Sequence, residues 1–481
     1  MKKRTLVKGR YVIGWKGGEQ VQFNNGTVVV EDDRIEDVTT ADVKPGPGDE
    51  VVGGSQFLVM PGFINLHTHM FSPMTRSFLE DLGSKTLGGS TTLYEHLPRI
   101  RHATTFEDQQ ASTRFALMEL LKGGSTTVVA LQTSDDQDTV PYARDIAENI
   151  DRYGLRAYIS PMFACGHYYV ESGTVKYAWD EQFGERGLEN TVKFWKELKQ
   201  YKHDRIQVMF GPRQTALVSK ELLREAARLA SQCGAPVQAH CSESIPEVRA
   251  VRERYQCTPV ELLESVSMLR PKTILGHCIY IPGHSLFPGQ GRDLELIASG
   301  GASVAHCPWI FARRGVALES FHSYRQAGVN IGIGTDTFPQ DVFAEMRCAL
   351  MANRLFAKQL HVVQMTDVFE AATVGGARAL GREDLGRLSP GAKADVVMMR
   401  LDRMNLVPVR DPLKSVIYSA NANDVDTVMV AGKVLVQNGK CLYIDEDEVK
   451  ENLQRTAERV WAKIEKIETI SPSVLKIIKR G

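Results

Sequence analysis

The chain has 481 residues, with 58 Lys plus Arg against 58 Asp plus Glu, so it can bury a large core and has no net charge to draw it to nucleic acid or an anionic membrane. Its eight cysteines are scattered with no Cys-x-x-Cys pair, which fits reduced thiols, and no apolar run reaches the roughly 18–20 residues of a membrane span. Met-Lys-Lys-Arg looks like the start of a signal peptide, but Lys8 and Arg10 interrupt the apolar stretch that would have to follow. The expectation is a soluble cytoplasmic protein acting on a small molecule, with neither nucleic acid nor membrane as partner, and assembled as a homodimer or homotetramer.

Residues 1–58 read as short strands: Thr5 to Trp15 is rich in Val, Tyr and Ile, and Asn24-Asn25-Gly26 and Asp32-Asp33 have turn chemistry. The same texture returns over 385–445, where Pro390 to Asp395 leads into Val396-Val397-Met398-Met399. Both ends of the chain are therefore expected to build one small β-sandwich domain. Between them, over 59–384, strand-like runs at 59–66, 125–131, 155–161, 205–211, 236–241, 273–278, 302–306 and 331–336 alternate with segments of helical periodicity. Eight such units predict an α/β fold, a parallel (β/α)₈ TIM barrel, because each parallel pair needs a crossover. The stretch from Phe71 to Phe106 is long for a connection and is expected to be a lid or substrate-binding segment. Over 446–481, Val449, Leu453, Ala457, Val460, Trp461, Ile464 and Ile467 describe one amphipathic helix docked on the barrel. No internal repeat or low-complexity linker interrupts the chain.

The chemistry-bearing residues fall at the strand ends. The first run closes on His67-Thr68-His69, two imidazoles expected on one face of a strand about 6.5–7 Å apart, which can form half of a metal site. The fifth closes on His240 with Glu243 three residues on, the sixth on His277, the seventh on His306 and the eighth on Thr335-Asp336. In such a barrel these ends meet at one mouth, where catalytic groups gather. Cys241, Cys278 and Cys307 each follow a site histidine and are expected to face away, between barrel and helices.

His-x-His, His-x-x-Glu, His and Thr-Asp in this order resemble the amidohydrolase superfamily, within it the branch of heterocycle deaminases and triazine hydrolases. The resemblance runs over nearly the whole chain and includes Pro61 to Asn65, Gly123 to Thr127, His306-Cys307-Pro308, Thr373 to Leu380 and Gly391 to Asp395. It implies a divalent metal held by His67, His69, His240 and Asp336 with one position open for water. It also implies Glu243 as proton shuttle, His277 as the histidine that orients the water, and Asp336 as acceptor of the water's proton. Binuclear members carry a lysine on the fourth strand, which Gln207 to Gly211 lacks, so one ion per chain is expected, zinc first, with iron, manganese or cobalt as alternatives. The sequence departs from the deaminase pattern at Pro212-Arg213, at Pro308 to Arg314 and at Thr337 to Asp341, which suggests a rebuilt and more apolar pocket. Arg76, Arg213, His306, Trp309 and Arg313 are its candidate substrate contacts. The implied reaction is hydrolytic deamination of an amino-substituted nitrogen heterocycle. Two alternatives are the same machinery expelling chloride from a triazine or cleaving an amide, urea or thiocarbamate, and a catalytically silent binding protein on this barrel.

Overall fold

A computed structural model describes residues 4–76, 85–133 and 138–464. Eight parallel strands form the central barrel: β1 (Phe63–Thr68), β2 (Ser125–Gln132), β3 (Arg156–Pro161), β4 (Ile206–Val208), β5 (Val237–Cys241), β6 (Thr273–His277), β7 (Ser303–His306) and β8 (Asn330–Ile333). The first four and the last four pair as two sheets. Parallel bridges from Phe210 to Val237 and from Thr68 to Asp336 close the two seams. Strands buried on both faces need apolar residues at every position, and β2 shows this with Val129 and Leu131 turned into the barrel and Val128 and Ala130 turned to the helices.

The run expected as one strand over 59–66 is two. Glu50–Pro61 belongs to an eight-stranded sheet, where it pairs in parallel with Arg4–Lys16 and antiparallel with Val396–Arg400, so that sheet is built from both ends of the chain. The chain leaves it at Gly62, where a Cβ would collide with the Thr126 side chain. No side chain larger than hydrogen fits at the passage from sheet to barrel.

Helix Glu446–Ile464 packs Leu453, Ala457, Val460 and Ile464 against Phe71, Met74, Ile100 and Ala103. Trp461 Nε1 donates to Met74 O at 2.9 Å, and Arg459 pairs with the fully buried Asp108. The helix thus braces the segment that roofs the barrel mouth; Ile467 lies outside the described residues. That roof is helical rather than irregular, with short turns at Ser72–Thr75 and Gly88–Ser90 followed by Thr92–His96 and Leu97–Ala103. A hairpin not expected from the sequence, Gly166–Glu171 with Thr174–Trp179, follows β3. Its turn residues, Ser172 at φ 50° and Gly173 at φ 74°, have the left-handed backbone a two-residue hairpin requires. Ser-Gly between Tyr168-Tyr169-Val170 and Thr174-Val175 was the signal that could have found it. Among the described residues, no helix is long and apolar enough to cross a membrane.

Candidate active site

Simple alternation along β1 would fail to build the site. Ile64 and Leu66 face the barrel interior, so His67 and His69 would face outward. The pairing with β2 slips between Asn65 and Thr68, which match Val128 and Ala130, so β1 has one residue too many there. This bulge reverses the phase and turns both imidazoles into the mouth. The outward residues then lock the bulge from behind. Asn65 Nδ2 donates to Thr335 Oγ1 (2.8 Å), Thr68 Oγ1 donates to Gln340 Oε1 (2.9 Å), and Gln238 Nε2 donates to Leu66 O (3.0 Å). Backbone N–H groups of Thr335 and Asp336 donate to His67 O, and that of His69 donates to Asp336 O at 2.7 Å, which fixes the ends of β1 and β8 together.

His277 also needs a departure from strand geometry, since Ile274 and Gly276 take the inward positions on β6. His277 has φ 70°, Cys278 φ 48° and Asp336 φ 57°, left-handed conformations that cost non-glycine residues energy and that collect at functional sites. At His277 this swings the side chain across the mouth, and its ring centroid lies 4.5 Å from that of His67.

The resulting cluster is an acceptor set. His69 Nδ1 donates to Leu131 O (3.0 Å) and His240 Nδ1 to Arg213 O (2.6 Å); since a carbonyl only accepts, both Nε2 atoms carry lone pairs. These two Nε2 atoms lie 3.2 Å apart, and Asp336 Oδ1 lies 3.4 Å from His69 Nε2 and 3.6 Å from His67 Nε2. Burial lowers His69 to a pKa of about 4, with Asp336 opposing and His67 adding to the fall, and lowers His240 and His277 well below the usual histidine range. Burial alone would raise Asp336, but His67, His277 and His69 beside it hold it well below the usual carboxylate range. Neutral imidazoles and an ionised carboxylate converging without a donor between them fit a divalent cation. The inward position near the end of β4 is the apolar Met209, which offers no further ligand.

Glu243 stands over this cluster in a cavity of about 30 Å³ that it lines together with His69, His240 and Asp336. Gln214 Nε2 donates to its Oε2 at 2.8 Å. Burial, then repulsion from Asp336 and Glu247, pushes its pKa up to about 8. Glu247, fully buried on helix Ile245–Tyr255, accepts the backbone N–H of Glu243 at 2.8 Å and the hydroxyl of Thr215. The sequence reading missed Glu247; its spacing, one helical turn beyond Glu243, was the available signal.

The pocket differs from the expected one. Arg213 lines the cavity as expected, donating to Tyr168 OH at 3.0 Å; Arg101, which was not foreseen, lines it too and donates to the same hydroxyl at 3.2 Å. Phe71, Leu93 and Leu97 complete the roof. Four expectations need correction. Arg76 is held away by Glu119 at 2.6 Å, on helix Phe106–Lys122. His306 faces the helix layer, with its ring 5.2 Å from Phe321, because its neighbour Ala305 takes the inward position on β7. Trp309 is 36% exposed at the rim with its backbone N–H donating to Glu345, since the helical turn Pro308–Ala312 puts Phe311 over His277 instead, 4.9 Å between centroids. Arg313 lies over the Phe338 ring, while Arg314 is the residue that lines the cavity. Cys241 and Cys278 do join the barrel–helix core, but Cys307 points inward, and a Cβ on Gly334 would sit 2.9 Å from its Sγ and 2.6 Å from His67 Cβ.

With this geometry in hand, a family model described as "Amidohydrolase family" matches residues 58–435. The chain belongs to the amidohydrolase family. As a member it is a hydrolase acting on carbon–nitrogen bonds. The amidohydrolase is 29% identical to a 5′-deoxyadenosine deaminase of Methanothermobacter thermautotrophicus, over 90% of this chain and 95% of the relative. It is 28% identical to a 5-methylthioadenosine/S-adenosylhomocysteine deaminase of Pyrococcus abyssi, over 92% and 96%. Among solved structures it is similar to an adenosine deaminase from Xanthomonas campestris with bound zinc, at a TM-score of 0.82 and 23% identity over 95% and 98% of the two chains. It is also similar in fold to the atrazine chlorohydrolase of Arthrobacter aurescens complexed with zinc, at 0.81 and 21% over 94% and 100%.

Proposed function

We propose that this amidohydrolase hydrolytically deaminates an amino-substituted nitrogen heterocycle, using one divalent metal ion per chain, zinc first, held by His67, His69, His240 and Asp336. The observation that carries the reading is Glu243, a buried carboxylic acid with a pKa of about 8, sharing one small cavity with that acceptor cluster. A bound divalent cation supplies Lewis acidity that can bring the pKa of water from about 15.7 to roughly 7.

The side chains move the protons. As water adds to the carbon bearing the amino group, Asp336 accepts one of its protons. Glu243, once protonated, delivers a proton to the adjacent ring nitrogen and is then free to carry the next one to the departing amine. The C–N bond breaks, ammonia leaves, and the ring carbon keeps the oxygen as a carbonyl. A general acid so placed is typically worth 10²–10⁴-fold, roughly. His277, its ring 4.5 Å from that of His67, steadies charge on the adding oxygen. Deaminase relatives aligned over nine-tenths of the chain support this choice of leaving group.

The test is a screen of metal-loaded protein against 5′-deoxyadenosine, 5′-methylthioadenosine, aminotriazines, chlorotriazines and ureas, read as released ammonia, chloride or alkylamine. Ammonia from an amino-heterocycle, lost in Glu243→Gln, is expected. Chloride or alkylamine release without ammonia would replace the deaminase reading with one of the other leaving groups.

A further inference from the structure

Beside the closed cavity lies a larger concavity of about 900 Å³. It is walled by the stretch from Lys85 to Ser90, by the Gly166–Trp179 hairpin and by helix Ile245–Tyr255, and Arg314 lines both spaces. Its size is that of small-molecule sites, whereas the 30 Å³ beside Glu243 holds about two waters. The lining is cationic: Lys85, Lys176, Arg249 and Arg314 face a single acid, Glu253. Lys176 is taken up by Glu171. Arg314 is half-buried and its Nε is buried without a hydrogen-bond partner among the described residues. Phe311, 5.9 Å from its guanidinium carbon, gives it an aromatic neighbour but no acceptor. A planar guanidinium with unused donors, lining both spaces, suits a carboxylate or phosphate.

We propose that the concavity continues the substrate site and receives an acidic substituent carried on the heterocycle, with Arg314 as its first contact and Arg249 and Lys85 further out; this rests on the heterocycle deaminase reading. The reacting ring lies against Glu243 and the substituent runs past Arg314. The competing role for Arg314 is to act only on Glu243, whose carboxyl its charge lowers. That role would change the rates of neutral and acidic substrates together.

The experiment uses matched pairs on one ring: adenosine with adenosine 5′-monophosphate for the phosphate arm, and 5′-methylthioadenosine with S-adenosylhomocysteine for the carboxylate arm. Metal-loaded enzyme is expected to favour the acidic member of at least one pair by roughly ten-fold or more in kcat/KM, and Arg314→Met to bring that ratio towards one. A ratio near one in both arms of the wild type, or a preference that survives Arg314→Met unchanged, overturns the proposal. Calorimetric binding of the same four compounds to metal-loaded Glu243→Gln gives the ratio without turnover. A binding preference with no ammonia from any compound removes the deaminase reading and keeps the subsite. Ammonia without a preference removes the subsite and keeps the deaminase reading, and neither binding nor ammonia removes both.

Discussion

The floor and the roof of the barrel mouth are built on different principles. The floor, from His67, His69, His240, His277 and Asp336, is held by backbone: the imidazoles of His69 and His240 are aimed by carbonyls, and β1 and β8 are tied through three N–H···O bonds. The roof is held by side chains from segments distant in sequence, Phe71, Leu93, Leu97, Arg101, Tyr168 and Arg314, meeting over the cavity. Backbone hydrogen bonds leave little freedom to substitution, whereas a phenol shared by two guanidiniums can be rebuilt one residue at a time. The floor therefore carries what every substrate needs, and the roof carries the choice of substrate.

If that division is right, the largest effects lie in the floor. His240→Ala or His67→Ala is expected to take metal content from about one ion per chain to near zero and to abolish turnover, read by elemental analysis and ammonia release; a variant that keeps both would break the comparison at once. Glu243→Gln comes next, with metal content unchanged and kcat down by roughly 10²–10⁴. Full turnover in this variant would mean that protons reach the leaving group through Asp336 or His277.

The third effect concerns Glu247, which holds the backbone of Glu243 from behind. Burial raises its pKa to about 7, and that of Glu243 to about 8, from an ordinary 4.5. These two carboxyls keep protons in the folded metal-free protein that the unfolded chain has already released above pH 4.5, a contribution that falls as pH rises from there towards 7–8. The lowered His69, His240 and His277 act in the opposite sense on the way up to 6.5. Asp336, held low, acts in the same sense as these histidines but only below its ordinary 3.8. Glu247→Gln removes one of the two raised carboxyls and is expected to make the slope of thermal midpoint against pH less negative than in the wild type between about pH 5 and pH 8, measured by calorimetry. An unchanged slope would remove Glu247 as a contributor. The smallest effect is Trp309→Ala at the rim: with a third of its surface exposed, it is expected to change kcat/KM by less than about three-fold and stability by about 1 kcal/mol. A loss of an order of magnitude in kcat/KM would put Trp309 back among the substrate contacts.

The same division decides how much could be read from the sequence. The strands of the barrel are apolar on both faces, so their runs stand out, and the residues that end them are visible as a set. Which way each residue points was harder, because alternation fails where the chemistry sits. The bulge in β1 and the left-handed His277 bring groups inward that a regular strand would not, while Asp336 and His306 obey the alternation, the first carried inward and the second outward. In the roof, Arg314 and Phe311 take the places expected for Arg313 and Trp309 because Pro308–Ala312 is a turn of helix, and a helical turn rotates each successive residue by about 100°. Tyr168 was out of reach because its hairpin enters the mouth from an insertion after β3.

The extra residue in β1 works like a shifted reading frame in the pleat. Substitutions at Asn65 or Thr68 would loosen the frame, but losing His67, the one residue between Leu66 and Thr68, would restore regular alternation and remove one of the two imidazoles in a single step. The ion site is thus far less tolerant of a one-residue deletion than of most point changes nearby. Deletion scanning of 63–69, with metal content as the readout, should show a sharp loss at the bulge, whereas the same scan across the Ser172-Gly173 turn should leave the ion in place. Variation in length can accumulate in the roof of this barrel but not in the strand that begins it.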